Sequence, residues 1–150
     1  SAKLGDMGLA SRWPLTATHP PLSTHHLAAG TPLYLAPERR RVLLSPEEEE
    51  EGDDVSMDAS PPCDIYSLGV VTAEVFGAFA TAMERATVLD GLKREAAAAA
   101  APPREDTVRV RAQRIPTRAA EALALRMLAT RPSARPRPEA VARQARAEGR

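Results

Sequence analysis

The sequence predicts a mainly α fold with little strand, and three observations support that prediction. The stretch 63–76 is apolar nearly all round, which is typical of a helix that other segments pack against. The stretches 79–89 and 117–128 also space apolar residues as helices do,. Between these stretches, prolines and glycines divide the chain, which contains 14 and 8 of them. The pattern indicates short helices joined by loops.

Composition limits the classes of protein. A chain of 150 residues suits about one domain with a modest core, and with 3% aromatic residues the core must be mainly aliphatic. Cys63 is the one cysteine, so an internal disulfide is excluded, and no zinc-type ligand spacing occurs,. No apolar run has membrane-spanning length and no signal peptide is evident. We therefore expect no membrane segment in this chain and a cytoplasmic location. If the chain is part of a longer protein, that protein could still be anchored to a membrane by a segment outside these residues.

Charge is strongly segregated although the formal net charge is +0. Residues 47–58 contain eight acids and no base, whereas residues 104–150 contain twelve arginines and five acids. An Arg-rich nucleic-acid-binding segment is one interpretation, but single-strand binding uses aromatic side chains on which bases stack. No aromatic residue follows Phe79. A solvated basic surface is favoured, and no nucleic acid is predicted as a partner.

The N-terminal part contains a candidate cation ligand and candidate phosphorylation sites. Asp6 follows a short apolar segment and precedes Gly8. An Asp in such a turn can hold a hard cation through its carboxylate, but an Asp near a small residue is also typical of a turn with no ligand. Residues 11–32 are predicted to form a long loop. Its hydroxyls include Ser23, Thr24 and Thr31. Ordinary loop polarity explains these hydroxyls, and phosphorylation of one of them matters only if the loop has a regulatory role, because a phosphate adds charge that arginines can capture.

The apolar stretch 63–76 has the signals of a complete helix. Pro61 and Pro62 precede it, where proline costs a helix least. Asp64 lies in the first turn and can accept hydrogen bonds from unpaired N–H groups there. Gly77 follows the last apolar residue and could end the helix with a positive φ.

These patterns divide the chain into four expected parts. We expect the candidate cation motif and long loop in 1–38, a basic and then acidic disordered insertion in 39–60, a helical core in 61–147 and a tail in 148–150. Within the core, the alanine run 96–101 extends a helix until Pro102, residues 107–111 alternate as a strand does, and 138–147 form the last helix. Arg135 is presented by a proline-bounded loop.

Several short motifs occur in a specific order. They are Asp6-Met7-Gly8, Gly30-Thr31 with Tyr34, Ala36-Pro37-Glu38, Asp64 at the start of the apolar helix, and Arg135-Pro136. Each is common, but the ordered set resembles the second half of a eukaryotic Ser/Thr protein kinase domain, from about residue 3 to about residue 143. Met7 stands where that family usually has Phe, and a flexible apolar Met can fill the same slot.

The resemblance implies a protein kinase-like C-terminal lobe without its N-terminal lobe. Asp6 would ligate the Mg²⁺ that bridges the phosphates of ATP, so ATP and Mg²⁺ are the implied cofactors. Residues 1–38 would hold this motif, the activation segment and its end. Glu38 would form a buried ion pair with Arg135. Asp64 would hold the backbone of the catalytic loop, whose Asp and Asn this chain lacks.

The stretch from Thr72 to Leu92 is similar to the kinases of the alpha subunit of translation initiation factor 2, which control translation under stress. In that branch the hydroxyls of the activation segment are autophosphorylated. The resemblance implies a substrate platform of Thr31, Tyr34, Glu84 and Arg85, with that alpha subunit as the protein substrate. A kinase dimer through the missing N-terminal lobe is implied as a further partner.

Several parts of a kinase active site are absent from this sequence, which predicts that the chain alone is inactive. Phosphoryl transfer needs a Gly-rich loop, a strand lysine and a catalytic-loop Asp and Asn, and none of them precedes Asp6 here. We therefore expect the chain alone to bind ATP poorly and to transfer no phosphate. The alternative is a pseudokinase-type docking or regulatory module.

Overall fold

The computed structural model describes residues 31–44, 61–99 and 118–148, and in these ranges the chain is helical without a strand. The helices are α1 (Pro37–Leu44), α2 (Pro61–Phe76), α3 (Ala82–Ala99), α4 (Arg118–Met127) and α5 (Pro138–Glu148), and a 3-10 turn, Pro132–Ala134, lies between the last two. The predicted fold class, mainly α, is confirmed.

Helix α2 is the centre of the described structure. It packs most extensively on α4, and it also contacts α3 and the 3-10 turn. Its buried residues are Cys63, Ile65, Tyr66, Gly69, Val70 and Ala73. Leu89 and Leu92 of α3 and Leu128 after α4 belong to the same core cluster as Cys63, Tyr66, Val70 and Ala73. The prolines 61 and 62 lie in its first turn, where the missing N–H groups have no helical acceptor,.

Gly69 sets the distance between α2 and α4. A Cβ atom at Gly69 would lie 2.9 Å from Met127 Cβ and 3.3 Å from Leu128 Cγ. The first distance is below any normal carbon–carbon contact. The two helices can therefore approach this closely only because position 69 has no side chain.

One face of α2 is exposed, so the expectation that it is buried nearly all round is wrong for that face. Leu68 and Val71 are 43% and 40% exposed, and Val75 is 71% exposed. The three lie at i, i+3 and i+7, which places them in one stripe along the helix. Asp64 lies on the same face and is exposed. Helices α3 and α4 cover the other sides of α2 and leave this apolar stripe open.

Helix α3 begins at Ala82, not at Phe79 as the apolar spacing predicted. The Thr81 hydroxyl accepts a hydrogen bond from the Glu84 N–H at 3.1 Å, and the Glu84 carboxylate accepts one from the Ala80 N–H at 2.8 Å. This arrangement is a variant of the capping box in which the Glu84 carboxylate binds the N–H of the residue before the cap, and it satisfies N–H groups at the helix start,. It fixes the first turn three residues later than predicted.

Gly77 directly follows α2, but its φ is not in the positive range, so the predicted helix end with a positive φ is wrong. A Cβ atom there would lie 2.1 Å from the ring of Phe79 and 2.7 Å from the Ala73 carbonyl oxygen. Glycine at this position therefore makes room for the Phe79 ring as the chain leaves the helix.

The helix α1 shows that the expected disorder does not begin at residue 39. It continues to Leu44, with Pro37 as its first residue, Glu38 in the first turn and Arg41 in the last turn. These positions suit the helix dipole and the φ of proline. Residues 45–60 lie outside the described ranges, and so does the predicted extended segment 107–111.

The other predicted helix limits are close to those of the structure. Helix α4 begins one residue after Thr117, α5 ends one residue after Ala147, and α3 continues into the alanine run as far as Ala99. Of the helices that the structure describes, none is both long and apolar enough to cross a membrane.

Candidate functional site

Arg135 is buried and forms a bidentate ion pair with Glu38. Its Nη1 donates to Glu38 Oε1 at 2.6 Å and its Nη2 donates to Glu38 Oε2 at 2.8 Å. Arg135 is 6% exposed. The pair joins the start of α1 to the loop after the 3-10 turn. Two parallel charge-assisted hydrogen bonds of this kind are stronger and more specific in geometry than one.

The remaining donors of Arg135 all point to backbone carbonyls. Nε donates to Ala129 O at 2.8 Å, Nη1 donates to Pro62 O at 3.0 Å and Nη2 donates to Thr130 O at 3.2 Å. A guanidinium has five N–H donors, and here each has an acceptor. Arg135 therefore ties α1, the first turn of α2 and the end of α4 together, and it has no donor left for a ligand.

The surroundings of Glu38 favour its ionised form. Burial opposes ionisation, but hydrogen bonds from Arg135 and Cys63, together with a backbone hydrogen bond, hold the pKa of Glu38 below its ordinary value of 4.5. The Cys63 Sγ lies 3.2 Å from Glu38 Oε1. The ring of Tyr66 lies 5.1 Å from the Arg135 guanidinium carbon, within the range of a cation–π contact,. The Glu38–Arg135 pair, with Cys63 and Tyr66 against it, is therefore an anchor of the fold.

A second polar cluster joins Tyr34, Glu74 of α2 and Arg85 of α3. The Tyr34 hydroxyl donates to Glu74 Oε2 at 2.8 Å and accepts from Arg85 Nη2 at 3.2 Å. Arg85 Nη2 also pairs with Glu74 Oε1. The hydrogen bond to Glu74, with burial, raises the pKa of Tyr34, so the phenol stays protonated and remains a donor.

The backbone of the same segment is held by further side chains. The Ser67 hydroxyl of α2 donates to the Tyr34 carbonyl at 2.9 Å, and Lys93 Nζ of α3 donates to the Leu33 carbonyl. The Tyr34 N–H donates to the Thr31 carbonyl at 2.9 Å, which closes a turn. The segment 31–36 is thus fixed by both α2 and α3, while the Thr31 side chain stays exposed.

The structure brings together only part of the predicted substrate platform. Tyr34 and Arg85 are in contact. Glu84 is exposed and its carboxylate caps α3, and Thr31 is exposed at the start of the Tyr34 turn. Asp64, predicted to hold a catalytic-loop backbone, is exposed in the first turn of α2.

The predicted metal ligand and two predicted phosphorylation sites cannot be placed on this framework. Asp6, Ser23 and Thr24 lie outside the described ranges. Among the described residues, no group of three or more His, Cys, Asp or Glu side chains could hold a metal ion.

Sequence reasoning missed three residues that hold the segment 31–36 in place: Ser67, Glu74 and Lys93. For Glu74 a signal was present, because it is the only charged residue between Ile65 and Phe76. A charge on so apolar a helix needs a partner where it is shielded from water. No comparable signal distinguishes Ser67 or Lys93 from ordinary surface residues.

The chain is similar to curated proteins over part of its length. It is 37% identical over 91 residues to eukaryotic translation initiation factor 2-alpha kinase 1 of Rattus norvegicus. It is 38% identical over 98 residues to the protein of the same name from Mus musculus. Each match covers 61% of this chain but only 14% and 13% of the relatives.

No family model matches the chain, and no solved structure matches it. The curated similarity and the helical fold agree with the resemblance that the ordered motifs indicate, and that resemblance is confirmed. Over about three fifths of its length (61%), this chain is therefore similar to a short segment of translation initiation factor 2-alpha kinases.

Proposed function

We propose that this chain is part of a protein serine/threonine kinase, a transferase that moves the γ-phosphate of ATP to a hydroxyl of a protein substrate. The observation that carries the proposal is the Glu38–Arg135 pair with its fully bonded guanidinium. It joins the Ala36-Pro37-Glu38 motif to the Arg135-Pro136 motif, and the two paired residues lie 97 positions apart. The curated similarity supports the same class.

In this proposal Asp6 holds Mg²⁺ and ATP is the phosphate donor. The metal would supply charge neutralisation at the phosphates. A carboxylate is the ligand type that Mg²⁺ prefers, so the residue type fits, and no geometry follows because Asp6 lies outside the described ranges. Among the described residues nothing replaces it as a metal site.

The open face of α2 supports the proposal that the chain works as part of a longer polypeptide. Leu68, Val71 and Val75 form an apolar stripe, and the exposed Asp64 lies on the same face one turn before it. Catalytic-loop and N-lobe sequence would supply the missing catalytic Asp, Asn and Lys. The chain alone would then transfer no phosphate.

The finer proposals concern substrate, regulation and location. We propose the alpha subunit of translation initiation factor 2 as the substrate, in cytoplasmic stress control of translation, and a kinase dimer formed through an N-terminal lobe outside this chain. Thr31 is exposed and, with Ser23 and Thr24, is proposed as an autophosphorylation site. Tyr34, Glu84 and Arg85 are proposed to face the protein substrate.

The experiment compares this chain with the full natural polypeptide that carries it. Both are incubated with Mg²⁺, labelled ATP and the purified alpha subunit of initiation factor 2. The proposal expects labelled serine or threonine only with the full polypeptide. Labelling by the isolated chain would refute its predicted inactivity. A full polypeptide that binds ATP but labels no protein would instead indicate the pseudokinase-type module.

A further inference from the structure

The side chain of Arg85 connects the segment 31–36 to α3. Arg85 touches both Glu74 and the Tyr34 hydroxyl, and Tyr34 bonds to Glu74 as well, so the three side chains form a closed triangle. Each comes from a different part of the chain: the segment 31–36, α2 and α3. A shift of any one of these parts must break at least two of the three contacts.

The side chains of this triangle are partly buried, which strengthens the contacts between them. The side chains of Arg85 and Glu74 are 38% and 18% exposed, so solvent screens the pair less than it screens a surface ion pair. Arg94 provides the contrast on the same helix. Its side chain is 80% exposed and pairs with Asp90 within α3, so it joins no two elements.

The other contact from α3 to this segment strengthens the same connection. Lys93 donates to the Leu33 carbonyl, and it lies eight positions after Arg85, about two helical turns along the same face. Leu89, between them on that face, is 1% exposed in the core. The face of α3 that packs on the core is thus also the face that holds the Thr31 turn.

We propose that Arg85 is a positioning residue that acts through Glu74 and Tyr34 to fix the backbone of the segment 31–36, including the turn that carries Thr31. Glu74 orients the guanidinium of Arg85. Tyr34 bonds to both of these side chains and thereby holds the backbone of the segment 31–36 in place. The proposal itself rests on the described contacts. Its consequence for phosphate transfer rests on the proposed kinase function.

The first test measures amide hydrogen exchange of peptides from 31–36 in the full natural polypeptide. Arg85→Ala and Tyr34→Phe should each speed exchange about five- to tenfold, because a hydrogen bond to a charged group is lost. The matched control Arg94→Ala should leave it unchanged. The double variant should exchange little faster than either single variant, since both break one triangle.

Two further variants separate positioning from general folding. Glu74→Gln keeps the shape and the acceptor for Tyr34 but removes the charge that holds Arg85, so it should speed exchange in 31–36 while peptides from 63–70 stay protected. Arg85→Lys keeps the charge and should restore part of the protection. Exchange in the Arg85→Ala variant equal to that of Arg94→Ala would overturn the proposal.

The second test measures phosphate transfer by the same full polypeptide variants. Arg85→Ala should lower kcat about tenfold, because small misplacements of a substrate-positioning element are costly, while KM for ATP stays equal to that of Arg94→Ala. A kcat unchanged from the control would overturn the catalytic consequence. A wild-type polypeptide without transfer activity would refute the proposed function. The hydrogen-exchange test would then still show whether Arg85 positions the segment 31–36.

Discussion

Glu38 and Arg135 lie 97 positions apart in sequence, and their side chains meet through two hydrogen bonds of 2.6 and 2.8 Å. The contact joins the beginning of α1 to the loop before α5. Three backbone carbonyls take the remaining guanidinium donors. One side chain thus links α1, which directly follows the segment 31–36, to the first turn of α2 and to the residues after α4.

Removing the guanidinium should destabilise the fold strongly. Arg135→Ala leaves the Glu38 carboxylate, whose side chain is 16% exposed, without its charged partner, and such losses typically cost about 3–5 kcal/mol. Arg135→Lys should also destabilise, by less, because an ammonium has fewer donors and no planar fork. Urea unfolding measures both. The exposed Arg137→Ala is the control, and an Arg135→Ala variant as stable as this control would contradict the anchor role.

Acid should weaken the same anchor. Because the pKa of Glu38 is lowered in the folded chain, its contribution is present above the ordinary value of 4.5 and is lost as the pH falls below that value towards the folded pKa,. The free energy of unfolding should therefore decrease in this window. Glu38→Gln should flatten the decrease when unfolding is followed from pH 7 to pH 3. An equal decrease in both proteins would show that other carboxylates cause it.

The close approach of α2 and α4 predicts the effect of one added methyl group. Gly69→Ala places a Cβ atom 2.9 Å from Met127 Cβ, and overpacking of this kind typically costs about 1–3 kcal/mol. The gain in helix propensity, about 0.5–1 kcal/mol, offsets only part of that cost. Thermal unfolding should show a lower midpoint, whereas Gly91→Ala makes the same chemical change within α3 and should not destabilise. A Gly69→Ala protein at least as stable as wild type would contradict the described spacing.

The start of α3 gives a test of how Glu84 is used. Thr81→Ala removes the cap that the Glu84 N–H needs, and losses of this kind cost about 1 kcal/mol. Glu84→Ala should also destabilise by removing the acceptor of the Ala80 N–H, while Glu84→Gln should retain most of the stability. Urea unfolding of the three variants measures this. If Glu84→Ala has no effect on stability, the capping role is wrong and the substrate-platform role becomes the better explanation.

Sequence reasoning found the helices and the anchor but not how the elements contact one another. The burial of Ile65, Val70 and Ala73 follows from the apolar pattern of α2. That pattern cannot say which face a neighbouring helix covers, so the exposure of Leu68 and Val75 was not predicted. Periodicity identifies an amphipathic face only when polar residues mark the other side.

The candidate site was likewise predicted only in part. The Glu38–Arg135 contact followed from the resemblance, since spacing alone cannot bring two residues so distant in sequence together. The capping role of Thr81 and Glu84 was readable in the sequence, because Thr-x-x-Glu before a helix is a known signature. The partner of Arg85 was not readable, because choosing Glu74 and Tyr34 requires the crossing of α2 and α3.

This chain is proposed to form part of a kinase that uses a magnesium-bound nucleotide. Phosphate transfer by the full natural polypeptide, compared with its Asp6→Asn variant, tests it most directly. We expect the wild-type polypeptide to label a protein serine or threonine in the presence of Mg²⁺ and ATP, and Asp6→Asn to abolish labelling without lowering stability. Absence of labelling by the wild-type polypeptide, or equal labelling by Asp6→Asn, would contradict the claim.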